Sequence, residues 1–355
     1  MTSGADHQGA GAPRPIVLGL WLVAIIYALW SSWPVFGSVE PRDFTIFWLS
    51  GKLALAGQPE VAYSREAFAA FSESMTGIAR ASAPYPPHMF LLFAPLALLG
   101  LTPAFLLWNV LGVALFTWSA KPYMKGVPWV LAALTPAGCI AIALGQTGLL
   151  VGALWLFAFR GHAWAVGLLT LKPHLGWLSA LTLRRPRKLL TAITAAILIL
   201  GLAFFLFPTA FAAFPQAILR QGSYLSTGDY RIWYFQAVSP RFGYGTIGWL
   251  VFAAAAAVLL VKRFDPFTAA TASLLISPYA FHYDMTVACL GMGLALVRED
   301  RPQYQFLLIF GFCVPYLVLI GTTWLAPPII LGALYALTAV DSDPAWERRN
   351  LIPKW

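Results

Sequence analysis

The sequence predicts an all-α polytopic membrane protein. Three observations carry that expectation. Of the 355 residues, 59% are hydrophobic and only 10% are charged, whereas soluble domains carry about 25% charged residues. The mean hydropathy is +0.73. The chain also holds 15 Trp and 25 Phe, which suits many water–lipid boundaries. The net charge of +9 reads as cytoplasmic loop charge. No basic stripe interleaved with exposed aromatics occurs, so nucleic acid is set aside as a partner.

A crossing helix needs about 20 apolar residues. On that measure about twelve spans are expected, at 16–33, 87–100, 102–119, 127–144, 147–160, 162–183, 189–208, 245–261, 266–281, 284–297, 303–321 and 324–340. The first run, Ile16 to Trp33, follows the polar stretch 1–15 and ends in "SSWPVFG". It has no small-residue cleavage site, so it reads as a retained span rather than a signal peptide. Several runs are short, and short or broken helices are tolerated where protein or a wet cavity satisfies their backbone.

The whole chain, 1–355, reads as one integral membrane domain. With residues 1–15 cytoplasmic, strict alternation places "RRPRK" (Arg184 to Lys188), Lys262, Arg263, Arg298, Arg301 and the tail 341–355 inside. The same alternation sends Lys121, Lys125 and Arg160 outside, against the positive-inside rule. Two long non-spanning loops, 34–86 and 209–244, fall on the outer, periplasmic side. Within the first, "FWLSGKLALAG" and "SREAFAAFSESMTGI" have helical spacing of apolar residues and are expected as amphipathic surface helices. Its end, "PYPPHMF", carries Pro84, Pro86 and Pro87, which stop one helix and preset the next.

The ionisable and polar residues inside this apolar frame are the candidates for chemistry. Asp43, in "EPRDFTIFW", is either a general base at the mouth of a chamber or a juxtamembrane carboxylate paired with Arg42 or Lys52. Lys172, in "LLTLKPHLGWL", lies mid-span. An unpartnered ammonium there costs about 2.5–3.5 kcal/mol, so it faces a wet or anionic interior, with a lipid phosphate as a natural partner, or the span starts later and the lysine snorkels. In "SPYAFHYDM", His282 and Asp284 sit two apart. His282 could bond a phosphate or sugar hydroxyl, or simply belong to an aromatic belt. Gln146 and His174 read first as capping or interhelical polar groups, and His88 as a helix-start residue. The five histidines show no i, i+4 pair, so no metal is expected. Cys139, Cys289 and Cys313 lie in apolar runs without ligand or bridging spacing. The absence of a Gly-rich phosphate loop and of a G-x-S-x-G elbow argues against a cytosolic nucleotide donor.

The segments "RDFTIFWLSGKLALAGQPEVAYS", "YPPHMFLLFAPLALL", "LGQTGLLVGALWLFA", "LLTLKPHLGWL" and "SPYAFHYD" occur in an order and spacing that resembles glycosyltransferase family 87. The resemblance implies a GT-C fold and an inverting mannosyltransferase that uses a polyprenyl-phosphate-linked sugar at the outer face of the bacterial cytoplasmic membrane, in cell-envelope biosynthesis. It implies a glycan or glycolipid acceptor, no cofactor beyond the lipid-linked co-substrate, and Asp43 as the general base. His282 matches a donor- or acceptor-contacting histidine, and Lys172 the lysine of a Lys-Pro motif. Asp284, Gln146, His88 and the loop residue Arg231 complete the expected donor and substrate contacts. The chain departs from the family pattern at Gly148, where Asn is common, and in its compact second loop. A multi-span transporter and a non-catalytic assembly partner are the alternatives.

Overall fold

The computed structural model describes residues 42–81, 85–226 and 237–340, with positions 19, 21–23 and 26 of the first apolar run. Residues 1–15, most of the expected span 16–33, Arg231 and the tail 341–355 lie outside the described residues. From residue 42 onward, fifteen α-helices are described: α1 Arg42–Leu55, α2 Arg65–Thr76, α3 Phe90–Ala97, α4 Leu101–Ala120, α5 Pro136–Leu144, α6 Gly148–Phe159, α7 Ala163–Leu168, α8 Pro173–Gly176, α9 Pro186–Leu206, α10 Pro208–Ser226, α11 Pro240–Lys262, α12 Pro266–Ile276, α13 Thr286–Arg298, α14 Pro302–Leu319 and α15 Ala326–Ala339. No β-strand occurs among the described residues. Seven of these fifteen begin at a proline, whose fixed φ and missing N–H suit the first helical position. Four described stretches are long and apolar enough to cross a membrane: Leu101–Tyr123, Pro186–Leu206, Pro240–Lys262 and Pro302–Leu319.

Close approaches at glycines show which way neighbouring helices run. A Cβ on Gly112 would lie 3.5 Å from Leu149, and one on Gly152 would lie 2.7 Å from Phe116. Helices α4 and α6 therefore run side by side in the same direction. The same holds for α7 and α9. A Cβ on Gly161 would meet Lys188 Nζ at 3.2 Å, and one on Gly167 would overlap the Ala192 carbonyl. Residues 162 and 186 thus start from the same end, and the segment between them doubles back. Gly176 makes the fold-back close, since its Cβ would sit 2.7 Å from the Leu169 side chain. The turn falls at Lys172, with non-helical φ −143° and ψ 69°, followed by Pro173 at the first position of α8.

The expected span 162–183 is therefore a re-entrant hairpin with Lys172 at its tip. The expected span 87–100 does not cross either. Gln146, which follows the runs 102–119 and 127–144, bonds Asp43, which precedes 87–100, so an even number of crossings separates the two and 87–100 is not one of them. Helix α3 lies against α1, where a Cβ on Gly51 would overlap the Phe93 carbonyl. Removing these two crossings flips only the loops between them. Residues 145–147 move to the side of Asp43, and Lys121, Lys125 and Arg160 move to the side of Arg263 and Arg298. Both shifts are visible in contacts: Gln146 bonds Asp43 directly, and Lys125, Arg263 and Arg298 line one cleft. Lys121, Lys125, Arg160, the "RRPRK" cations, Lys262, Arg263, Arg298 and Arg301 then share one end of the bundle, here called the basic end.

The opposite end is roofed by α1, α2, α3 and α10. The apolar spacing of α1 predicts an amphipathic surface helix, yet Phe44, Thr45, Phe47, Leu49 and Leu53 are all buried. The reason is that α3 and its flanking loop cover it. Phe47 stacks on Phe93 at 4.8 Å, and Trp48 Nε1 donates to the Leu99 carbonyl at 3.0 Å. Helix α2 does fit a surface helix, burying only Phe68 and Ser72. Ser64 caps it by accepting from Ala67 N at 3.3 Å, and Gly77 ends it in the left-handed region at φ 74°.

Candidate active site

Three stretches far apart in sequence converge beneath the roof. The first turn of α1 supplies Asp43, where a helix N-terminus favours a negative charge. The turn between α5 and α6 supplies Gln146, and Tyr85 comes from the proline cluster before α3. Gln146 Nε2 donates to Asp43 Oδ2 at 2.8 Å. Its Oε1 accepts from Tyr85 Oη at 3.1 Å and from Thr147 N at 3.3 Å. Two donors on Oε1 fix which way the amide points, so the –NH₂ must face the carboxylate. Burial pushes the Tyr85 phenol well above its ordinary value, and the Asp284 and Asp43 carboxylates add to that rise. Tyr85 therefore stays an O–H donor at any working pH.

Gly145 makes this approach possible. It ends α5 at φ 66°, and a Cβ there would lie 2.6 Å from Phe44 Cβ. Any other residue would push Gln146 away from α1. Gly148 plays the matching part on the other side, where a Cβ would overlap the carbonyl oxygen of Tyr283. Thr286 Oγ1 donates to the Gly148 carbonyl at 3.0 Å, so the start of α6 closes onto the 281–286 turn. The departure from Asn at position 148 thus has a packing reason: in this arrangement there is no room for a side chain.

The 281–286 turn carries the other half of the site. Asp284 Oδ2 accepts from Phe281 N at 3.0 Å. Asp284 Oδ1 accepts from Lys172 Nζ at 2.5 Å, with the lysine and aspartate side chains 6% and 0% exposed. Lys172 also lies 5.0 Å from the centre of the Tyr283 ring. The anion expected for Lys172 is therefore the chain's own Asp284, 112 residues away, and neither a lipid phosphate nor snorkelling is needed to explain its burial. Removing one partner of such a buried pair costs about 3–5 kcal/mol. The pair ties the hairpin tip to the 281–286 turn.

His282 is fully enclosed, with its ring 5.3 Å from that of Tyr283. His88 is also buried, against the Thr170 backbone of the hairpin. The His174 ring lies 3.8 Å from that of Tyr279, tilted by 31°. Asp43, Gln146, Lys172, His282 and Asp284 thus gather at one end of the bundle, while Arg231 lies outside the described residues. Tyr85 and Tyr283 join them, although hydropathy and motif spacing do not single them out; the clue to Tyr85 is a phenol inside the proline cluster. No three His, Cys, Asp or Glu side chains gather as a metal site among the described residues.

The model of glycosyltransferase family 87 matches residues 84–281, more than half of the chain. The chain belongs to glycosyltransferase family 87. Membership makes it a glycosyltransferase, with a sugar donor and an acceptor as substrates. The matched region of the family 87 model holds Tyr85, His88, Gln146 and Lys172, ends one residue before His282, and does not reach Asp43. No curated protein and no solved structure matches the chain.

Proposed function

We propose that this family 87 enzyme moves a hexose, mannose on the resemblance, from a polyprenyl-phosphate donor to a hydroxyl of a glycan or glycolipid at the periplasmic face. Asp43 is the general base. It takes the proton of the acceptor hydroxyl as that oxygen attacks the anomeric carbon; the bond from that carbon to the phosphate oxygen breaks, and polyprenyl phosphate leaves with inversion. One observation supports this reading most: a half-buried carboxylate at a helix start, held by an amide whose other end is anchored, beneath a roof on the end opposite the basic loops. The positive-inside rule favours a cytoplasmic basic end, which leaves Asp43 facing outward. The bond from Gln146 holds the carboxylate in one orientation, so Gln146 is a positioning residue in this reading.

The test is lipid-glycan profiling of a deletion strain. The reading expects one glycan to lose a single hexose and to regain it with the wild-type chain. An unaltered profile rejects the transfer assignment.

A further inference from the structure

We propose that the cleft at the basic end binds the phosphate of an anionic phospholipid headgroup. Three cations from three separate parts of the chain line it: Lys125 after α4, Arg263 after α11 and Arg298 at the end of α13. One carboxylate, Asp265, lies among them, and its bonding capacity is used locally. Its Oδ1 accepts from Phe267 N and Thr268 N, both at 2.9 Å. Its Oδ2 accepts from Arg263 Nε at 2.6 Å. Arg263 is fixed in turn by donating to the carbonyls of Leu337 at 2.9 Å and Val340 at 2.6 Å. Lys125 and Arg298 are exposed, so the positive charge they bring faces outward.

The other wall is apolar, formed by Phe267, Leu294 and Leu337. Val261, two residues before Arg263, is 79% exposed, so the outer surface beside the cleft suits acyl chains. Cations beside an apolar wall at the end of a helix bundle fit a lipid phosphate with its chains better than a free anion, and basic pockets between membrane helices take such headgroups. This site lies away from Asp43 and does not depend on the transfer chemistry.

Native mass spectrometry of the full chain in detergent tests it, with phosphatidylglycerol, phosphatidylcholine and inorganic phosphate as probes. Phosphatidylglycerol should bind preferentially. Lys125→Gln combined with Arg298→Gln should weaken it about thirtyfold, whereas Arg184→Gln with Arg187→Gln, charge-matched but outside the cleft, should leave it unchanged. Circular dichroism melting checks that both variants fold; both change exposed side chains. Equal loss in the two variants, or phosphatidylcholine binding as tightly, overturns the site. Displacement of phosphatidylglycerol by inorganic phosphate at equal concentration overturns the lipid assignment.

Discussion

Gln146→Glu exchanges one –NH₂ for an oxygen and little else. The retained Oε1 keeps its donors, Tyr85 Oη at 3.1 Å and Thr147 N at 3.3 Å. The new oxygen then takes the place of Nε2, 2.8 Å from Asp43 Oδ2. Two carboxylate oxygens at that separation hold a proton between them, and the base is occupied. The lost bond to a charged group is worth about 1.5–3 kcal/mol, which corresponds to a fall of about 10- to 150-fold in kcat/KM. The assay is transfer of labelled mannose from polyprenyl phosphate in proteoliposomes across a pH series. Activity should fall most at acidic pH and recover partly as pH rises and the shared proton leaves. A rate and pH profile equal to wild type refutes the positioning of Asp43 by Gln146.

Other expectations follow from the same contacts. Asp284→Asn or Lys172→Met should lower the thermal unfolding midpoint in detergent, because breaking the buried pair costs about 3–5 kcal/mol; an unshifted midpoint contradicts a structural pair. Gly148→Ala should lower both stability and transfer, since its Cβ would overlap the Tyr283 carbonyl; wild-type melting would show that α6 can move aside. A cysteine at exposed Ser74 on α2 should react with an impermeant maleimide from outside intact cells, and one at exposed Arg187 only after permeabilisation. The reverse pattern inverts the proposed orientation.

Hydropathy locates most of the helices, because apolar length is a local property of the chain. It cannot tell a crossing from a hairpin. The 162–183 run has the length of a span, and its reversal depends on Lys172-Pro173 together with the close approaches at Gly167 and Gly176. The 87–100 run fails in the same way, since its short helix is covered by α1. Those two errors cancel for the later loops. That is why a cytoplasmic "RRPRK" agrees with the loop charges while Lys121, Lys125 and Arg160 stand out as exceptions. In the site, Asp43 and Gln146 are each legible as polar groups in apolar surroundings. Their contact, spanning 103 residues, is not, nor is the Lys172–Asp284 pair, because long-range pairing leaves no periodic trace in a single sequence.

The most direct measurement compares Asp43→Asn with wild type in single-turnover transfer from labelled polyprenyl-phosphate-mannose, with folding checked by melting. The substitution keeps the side-chain shape and removes the proton acceptor. Transfer should disappear while the fold and donor binding persist. Undiminished transfer by a folded Asp43→Asn protein would contradict the account.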